Sequence, residues 1–244
     1  MRALLPRLLP FLLVLTCASG CATVAGQFPI AFPAAHTAAP AGAAADVLAA
    51  LPVKGRAPKT GYDRDAFGPA WSDVDRNGCD QRNDVLARDM TGETFKPGTH
   101  DCVVLTGTLA DPYTGKKIAF TRGQGTSEAV QIDHVVALSD AWQKGAQQLD
   151  APTRKNLGND PLNLLAVDGP TNMGKGDGDA ATWLPPQRSS RCDYVARQVA
   201  VKKKYALWVT QAEHDAIASV LSGCPGQSIP VDDDIPGAVH SSGV

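Results

Sequence analysis

Short β-forming runs and longer helical ones alternate along the middle of this chain. Residues 103–109 are rich in β-formers, Asp111-Pro112-Tyr113-Thr114-Gly115 has the chemistry of a turn, and residues 116–121 return, which predicts a hairpin. A third strand is predicted over 129–133, and a buried one over 162–167. Between them the pattern predicts a helix over 138–148 with Trp142 buried. A short helical turn follows at Pro152-Thr153, which Asn159-Asp160-Pro161 breaks. Gly169-Pro170 then turns the chain into a short helix at 171–175.

The flanks read differently. Residues 22–45 are rich in Ala and Pro with almost no charge, which predicts a tether, followed by a short helix over 46–51. Phe67 and Trp71 are spaced for one face of a helix. The next residues, Asp73-Val74-Asp75-Arg76-Asn77-Gly78 with Asp84 at the twelfth position, match the opening of a calcium-binding loop. The usual closing Glu is absent. The alternative is an Asx-rich turn that caps a helix over 82–88. Toward the C-terminus a helix is predicted over 192–207, and Thr210 with Glu213 forms a capping box for a last helix through Leu221. Residues 225–244 read as a disordered tail.

Composition changes this picture little, and the N-terminus changes it more. The 244 residues carry a formal charge of −2, which excludes a protein that coats nucleic acid by charge alone but not a local basic patch. Arg2 and Arg7 flank a leucine-rich run too short to span a bilayer, and Ala18-Ser19-Gly20 precede Cys21. Residues 1–21 therefore predict an export signal of the lipoprotein type, with Cys21 acylated; an ordinary secretory signal is the alternative. The expected product is a cell-envelope lipoprotein that meets the membrane only through that lipid. Export implies an oxidising compartment, where Cys79, Cys102, Cys192 and Cys224 should pair. Three connectivities are open; Cys79–Cys102 and Cys192–Cys224 are favoured because each closes a local loop.

The chemistry concentrates between residues 129 and 179. Asp133-His134 ends one predicted strand, Asn163 begins another, and Asn172-x-x-Lys175 lies on the helix that follows. If these elements converge, Asp133 and Asn172 offer two oxygens to one divalent ion, Mg²⁺ or Mn²⁺, whose other positions water and phosphate would fill. His134 is left off the metal as a general base, Asn163 orients it, and Lys175 contacts a phosphate. Arg122 and Arg154 are the first candidates for further phosphate contacts, because they lie in or beside this segment.

The series Asp133-His134, Asn163, Asn172-x-x-Lys175 resembles the HNH, or ββα-metal, nuclease motif, with Asn172 where the final histidine often stands. Gln131-Ile132-Asp133-His134-Val135-Val136-Ala137-Leu138-Ser139-Asp140-Ala141-Trp142, Asn159-Asp160-Pro161-Leu162-Asn163-Leu164-Leu165 and Lys175-Gly176-Asp177 resemble the C-terminal domain of GmrSD-type restriction enzymes. Trp183-Leu184-Pro185 and Cys192-x-Tyr194-Val195 are similar to those of exported bacterial HNH proteins. The resemblance implies an α+β fold, a ββα-metal core with an added hairpin and flanking helices, over a domain of residues 46–224. It implies a metal-dependent endonuclease with nucleic acid, DNA first, as substrate, and no protein partner is expected. Two rivals stand beside it: a non-catalytic module on the same fold that binds nucleic acid or an envelope partner, and an envelope protein stabilised by Ca²⁺ at Asp73, Asp75, Asn77 and Asp84.

Overall fold

The structure is a computed structural model that describes residues 43–230. The export signal, Cys21, most of the predicted tether and residues 231–244 lie outside the described residues. The described elements run α1 (Ala43–Ala50), α2 (Gln81–Asp89), β1 (Met90–Phe95), β2 (Val104–Ala110), β3 (Lys117–Thr121), β4 (Val130–His134), α3 (Leu138–Gln143), α4 (Ala151–Asn159), β5 (Leu164–Asp168), α5 (Gly169–Lys175), α6 (Arg191–Lys204) and α7 (Gln211–Leu221). The described residues form mixed helix and sheet with two disulfides, Cys79 bonded to Cys102 and Cys192 to Cys224.

Strands form two antiparallel sheets, β1-β2-β3 and β4-β5. The predicted hairpin is β2–β3, but β1 was not legible. Its sequence is broken by Gly92 in a left-handed conformation, and its pairing with β2 is irregular. In the smaller sheet Asp133 lies opposite Leu165 and His134 opposite Leu164. One face of that sheet packs Ile132, Leu164 and Ala166 against Val85 and Leu86 of α2 and the larger sheet. The other face carries Gln131 and Asp133 toward α5.

Polar side chains close the free edge of β5, where backbone groups would otherwise be unpaired. Ala166 N–H donates to Asp89 and Asp168 N–H to Asp111, while Arg88 and Arg197 both donate to the Leu164 carbonyl. Side-chain caps fix where the flanking helices begin. Asp80, Asp150 and Asp168 accept from the third residue of α2, α4 and α5, and Thr210 and Glu213 form the expected reciprocal pair on α7.

Four expectations are corrected. The helix predicted over 138–148 stops at Gln143, because Gly145 has a φ of 123° and lies where a Cβ would meet the Trp208 ring at 3.2 Å. The body begins by Ala43, inside the predicted tether, since Ala44, Ala45 and Leu48 bury against α6 and α7. Its other end reaches Pro230, because Gln227 accepts from Ala44 N–H and Ile229 packs on the core. Phe67 is buried as expected and Trp71 packs against the core, but Trp71 is on no helix and lies beside His134.

A charge cluster lies in the interior behind these elements. Lys144 Nζ is 2.7 Å from Asp140 and Asp179 and 2.6 Å from Glu213. Lys202 approaches Glu213 at 2.9 Å and Asp140 at 3.5 Å, and Arg56 reaches Asp140 and Asp179 from the half-exposed side. Both lysines are fully buried. Removing one partner of a buried pair leaves uncompensated charge and costs about 3–5 kcal/mol. Lys144→Met is expected to lose stability in that range in urea denaturation, whereas a loss under about 1 kcal/mol would mean that the cluster is only incidental.

Candidate functional site

Neighbouring residues of an extended strand point to opposite faces, so Asp133 and His134 enter different surroundings. Asp133 lies under α5, 5% exposed. Its Oδ2 accepts from the Tyr113 hydroxyl at 2.5 Å and its Oδ1 from Lys175 Nζ at 3.0 Å. Lys175 also donates to the His134 carbonyl at 2.9 Å. Burial pushes the Asp133 carboxyl up, against the opposing pull of Lys175 and Tyr113. Tyr113 was read in the sequence only as part of a turn. Its side chain, packed against Trp183 and Tyr194, is what fills the space beside Asp133.

His134 faces the other way, into a cavity of about 60 Å³ lined by Arg64, Trp71, Leu138, Gly158 and Asn159 among others. Its Nε2 is 2.8 Å from the Gly158 carbonyl. That oxygen can only accept, so Nε2 carries the proton and Nδ1 keeps its lone pair. Burial brings the imidazole down to about 3, with the positive charges of Arg64 and Lys175 acting in the same direction, so the ring is neutral. A backbone carbonyl has no side-chain signature, which is why Gly158 could not be found from the sequence.

Asn163, fully buried, ties together the two segments that hold the ring. Its Oδ1 accepts from Val136 N–H at 2.8 Å, and its Nδ2 donates to the carbonyls of Val136 and Leu157. The first two contacts fix the chain leaving His134, and the third fixes the end of α4 that presents Gly158.

Asn172 and Lys175 share a face of α5 but act separately. The Asn172 amide donates to Gln131 Oε1 at 2.9 Å, one strand position-pair away from Asp133. Lys175, expected to meet a phosphate, is buried and paired with Asp133. Arg122 and Arg154 are likewise turned inward. Arg122 donates to the Val104 carbonyl and Asn83, and Arg154 to the carbonyls of Ala66 and Leu149. As arranged, these residues do not fit a divalent ion: both Asp133 oxygens already accept from cationic or hydroxyl donors. Among the described residues no group of three or more His, Cys, Asp and Glu is placed to hold a metal.

In the loop after Trp71, oxygens turn onto their own backbone. Asp73 accepts from the N–H groups of Asn77 and Gly78, Asp75 from Asn77, and Asn77 from Cys79. Burial raises the Asp84 carboxyl to about 6, with Asp75 and Asp73 adding to the shift and an Asn77 hydrogen bond opposing it.

Residues 80–220 match the family model of the GmrSD restriction endonucleases, C-terminal domain. The match spans more than half of the chain, and the chain belongs to that family. A protein of Arthroderma benhamiae named "Uncharacterized secreted protein" is 36% identical over 183 residues, which are 74% of this chain and 84% of the relative. It leaves the bacterial part of the expected resemblance without support. No solved structure matches the chain.

The Asp84 carboxyl gives a pH test. Its folded value, about 6, lies above the roughly 3.9 of an unfolded Asp, so its favourable contribution is complete below that lower value and lost as pH rises through the higher one. In EDTA, Asp84→Asn is therefore expected to match wild type in melting temperature at pH 4 and to exceed it at pH 8. A pH-independent difference would contradict this. Ca²⁺ added at pH 8 should stabilise wild type alone if the loop binds it.

Proposed function

We propose that this chain is an exported nuclease that hydrolyses phosphodiester bonds of nucleic acid, DNA first, with His134 as general base. The observation that carries the reading is the Nε2 contact with the Gly158 carbonyl, which leaves Nδ1 as the acceptor on a neutral ring. A neutral imidazole can take a proton from water, and an approaching phosphate anion raises its basicity by favouring the charged form. Asn163 acts as a positioning residue, because it braces both the strand exit and the carbonyl that sets the tautomer.

One Mg²⁺ or Mn²⁺ at Asp133 and Asn172, the cofactor expected from the sequence, does not fit these residues as arranged, because both Asp133 oxygens already accept from Tyr113 and Lys175. It would need Lys175 to leave Asp133, since the two are in contact. That locked pair favours the second reading, a non-catalytic module that binds nucleic acid on the same fold.

Digestion of plasmid and oligonucleotides with Mg²⁺, Mn²⁺ or EDTA separates the two. The expected result is cutting by wild type, a loss of about 10²–10⁴-fold in His134→Ala, and an unchanged melting profile. Equal cutting by both proteins, or none by wild type with any metal, removes the catalytic reading.

Export belongs to the proposal. The relative's name says that it is secreted, and disulfides persist in oxidising compartments. We place a lipid on Cys21, so the mature N-terminal peptide should carry the mass of an acylated cysteine. An unmodified N-terminus would indicate free secretion.

A further inference from the structure

The cavity around His134 has a wall that the hydrolytic reading does not use. We infer that Arg64 and Trp71 form the substrate-contacting rim of His134, Arg64 taking a phosphate and Trp71 stacking on the unpaired base beside it. This rests on the nuclease reading for the role of His134.

Arg64 opens the short 3₁₀ turn Arg64–Phe67 and is exposed. It lines the cavity, and its charge is felt by the imidazole. The guanidiniums of Arg56, Arg88, Arg122, Arg154 and Arg197 are all committed to carboxylates, carbonyls or an amide oxygen. Arg64 makes no hydrogen bond or ion pair among the described residues. An uncommitted guanidinium at the mouth of a cavity is suited to a phosphate, which it can grip with two parallel donors. Asp65 lines the same cavity and limits how much negative charge the rim can accept.

Trp71 is half-buried, and its ring lies 14° from parallel to that of His134 with centroids 6.2 Å apart. Its φ is 62°, a left-handed conformation that a bulky residue holds only when its surroundings insist on it. Here they do. Asn159, at the end of α4, accepts from Ser72 N–H at 2.9 Å and donates to the Pro69 and Lys155 carbonyls. The Asn159 of the family-like motif thus fastens the Trp71 loop to the helix end that also presents Gly158. Trp71 also packs against the core around Leu86 and Leu164, and strain of this kind collects at functional sites.

Size decides what enters. A cavity of about 60 Å³ has room for a few waters, each needing at least about 10–15 Å³ of such space. A phosphate edge and a water can approach His134, while a base must remain on the rim, where Trp71 is the aromatic surface available. Stacking there needs a base whose face is free, which a duplex interior does not offer. The substrate class is therefore an unpaired strand.

The test is fluorescence anisotropy of labelled single-stranded and duplex DNA 12-mers with the full chain in EDTA. Single strands should bind more tightly than duplex. Trp71→Ala should weaken binding at least about fivefold, the lower bound for losing one stacked base. Arg64→Gln, an exposed change that leaves folding intact, should reduce the salt slope by about 0.7, the value for one phosphate contact on a single strand. Wild-type affinity in both variants, tighter duplex binding, or no binding by wild type would overturn the inference. Binding lost in the variants while wild type cuts nothing would uphold the rim and remove the nuclease reading. Normal binding and cutting by both variants would do the reverse.

Discussion

Three cations and three carboxylates meet where hydrophobic side chains would ordinarily lie, and the elements around the site are held through them. Asp140 comes from α3, Asp179 from the turn after α5, Lys202 from α6, Glu213 from α7 and Arg56 from the segment after α1. An apolar core tolerates small slides between helices, because its attraction is non-directional. A lysine surrounded by three carboxylates does not, since each must approach it from its own direction. The turn after α5 is located this way, and with it the end of the helix that carries Lys175.

The smaller sheet divides the site into two compartments. Asp133 with Tyr113 and Lys175 is on the α5 side, and His134 with Trp71 and Gly158 is on the other. Among the described residues, the His134 side opens to a cavity whose edge carries Arg64, a guanidinium without a hydrogen bond or ion pair. The Asp133 side is closed by a neutralising lysine. Chemistry that needs both compartments must rearrange the first, whereas recognition of a phosphate by the second does not.

Much of this was legible. Alternation gave β4 and β5 to within two residues, the capping signals gave α2 and α7, and the loop-closing argument pointed to the two disulfides that form. The segments 131–142, 159–165 and 175–177 were enough to indicate the family that matches. What could not be read were contacts made by backbone atoms or by residues distant in sequence. Gly158 contributes a carbonyl, Tyr113 reaches across from a turn, and Trp71 leaves its expected helix because Asn159 holds its loop. Lysine at position 175 illustrates the limit: its charge was evident, but its direction depended on a carboxylate 42 residues earlier.

The interior charge cluster has a consequence for how the molecule meets its environment. Its six charges sum to zero and lie mostly beyond the reach of dissolved ions, which screen buried pairs far less than exposed ones. A contact between an exposed arginine and a phosphate has no such shelter. Ionic strength should then act on the two independently, leaving the body intact at concentrations that already strip a nucleic acid from its surface. Under the proposed export, salt is set by the surroundings and not by the cell, so the fold would persist while occupancy follows the medium.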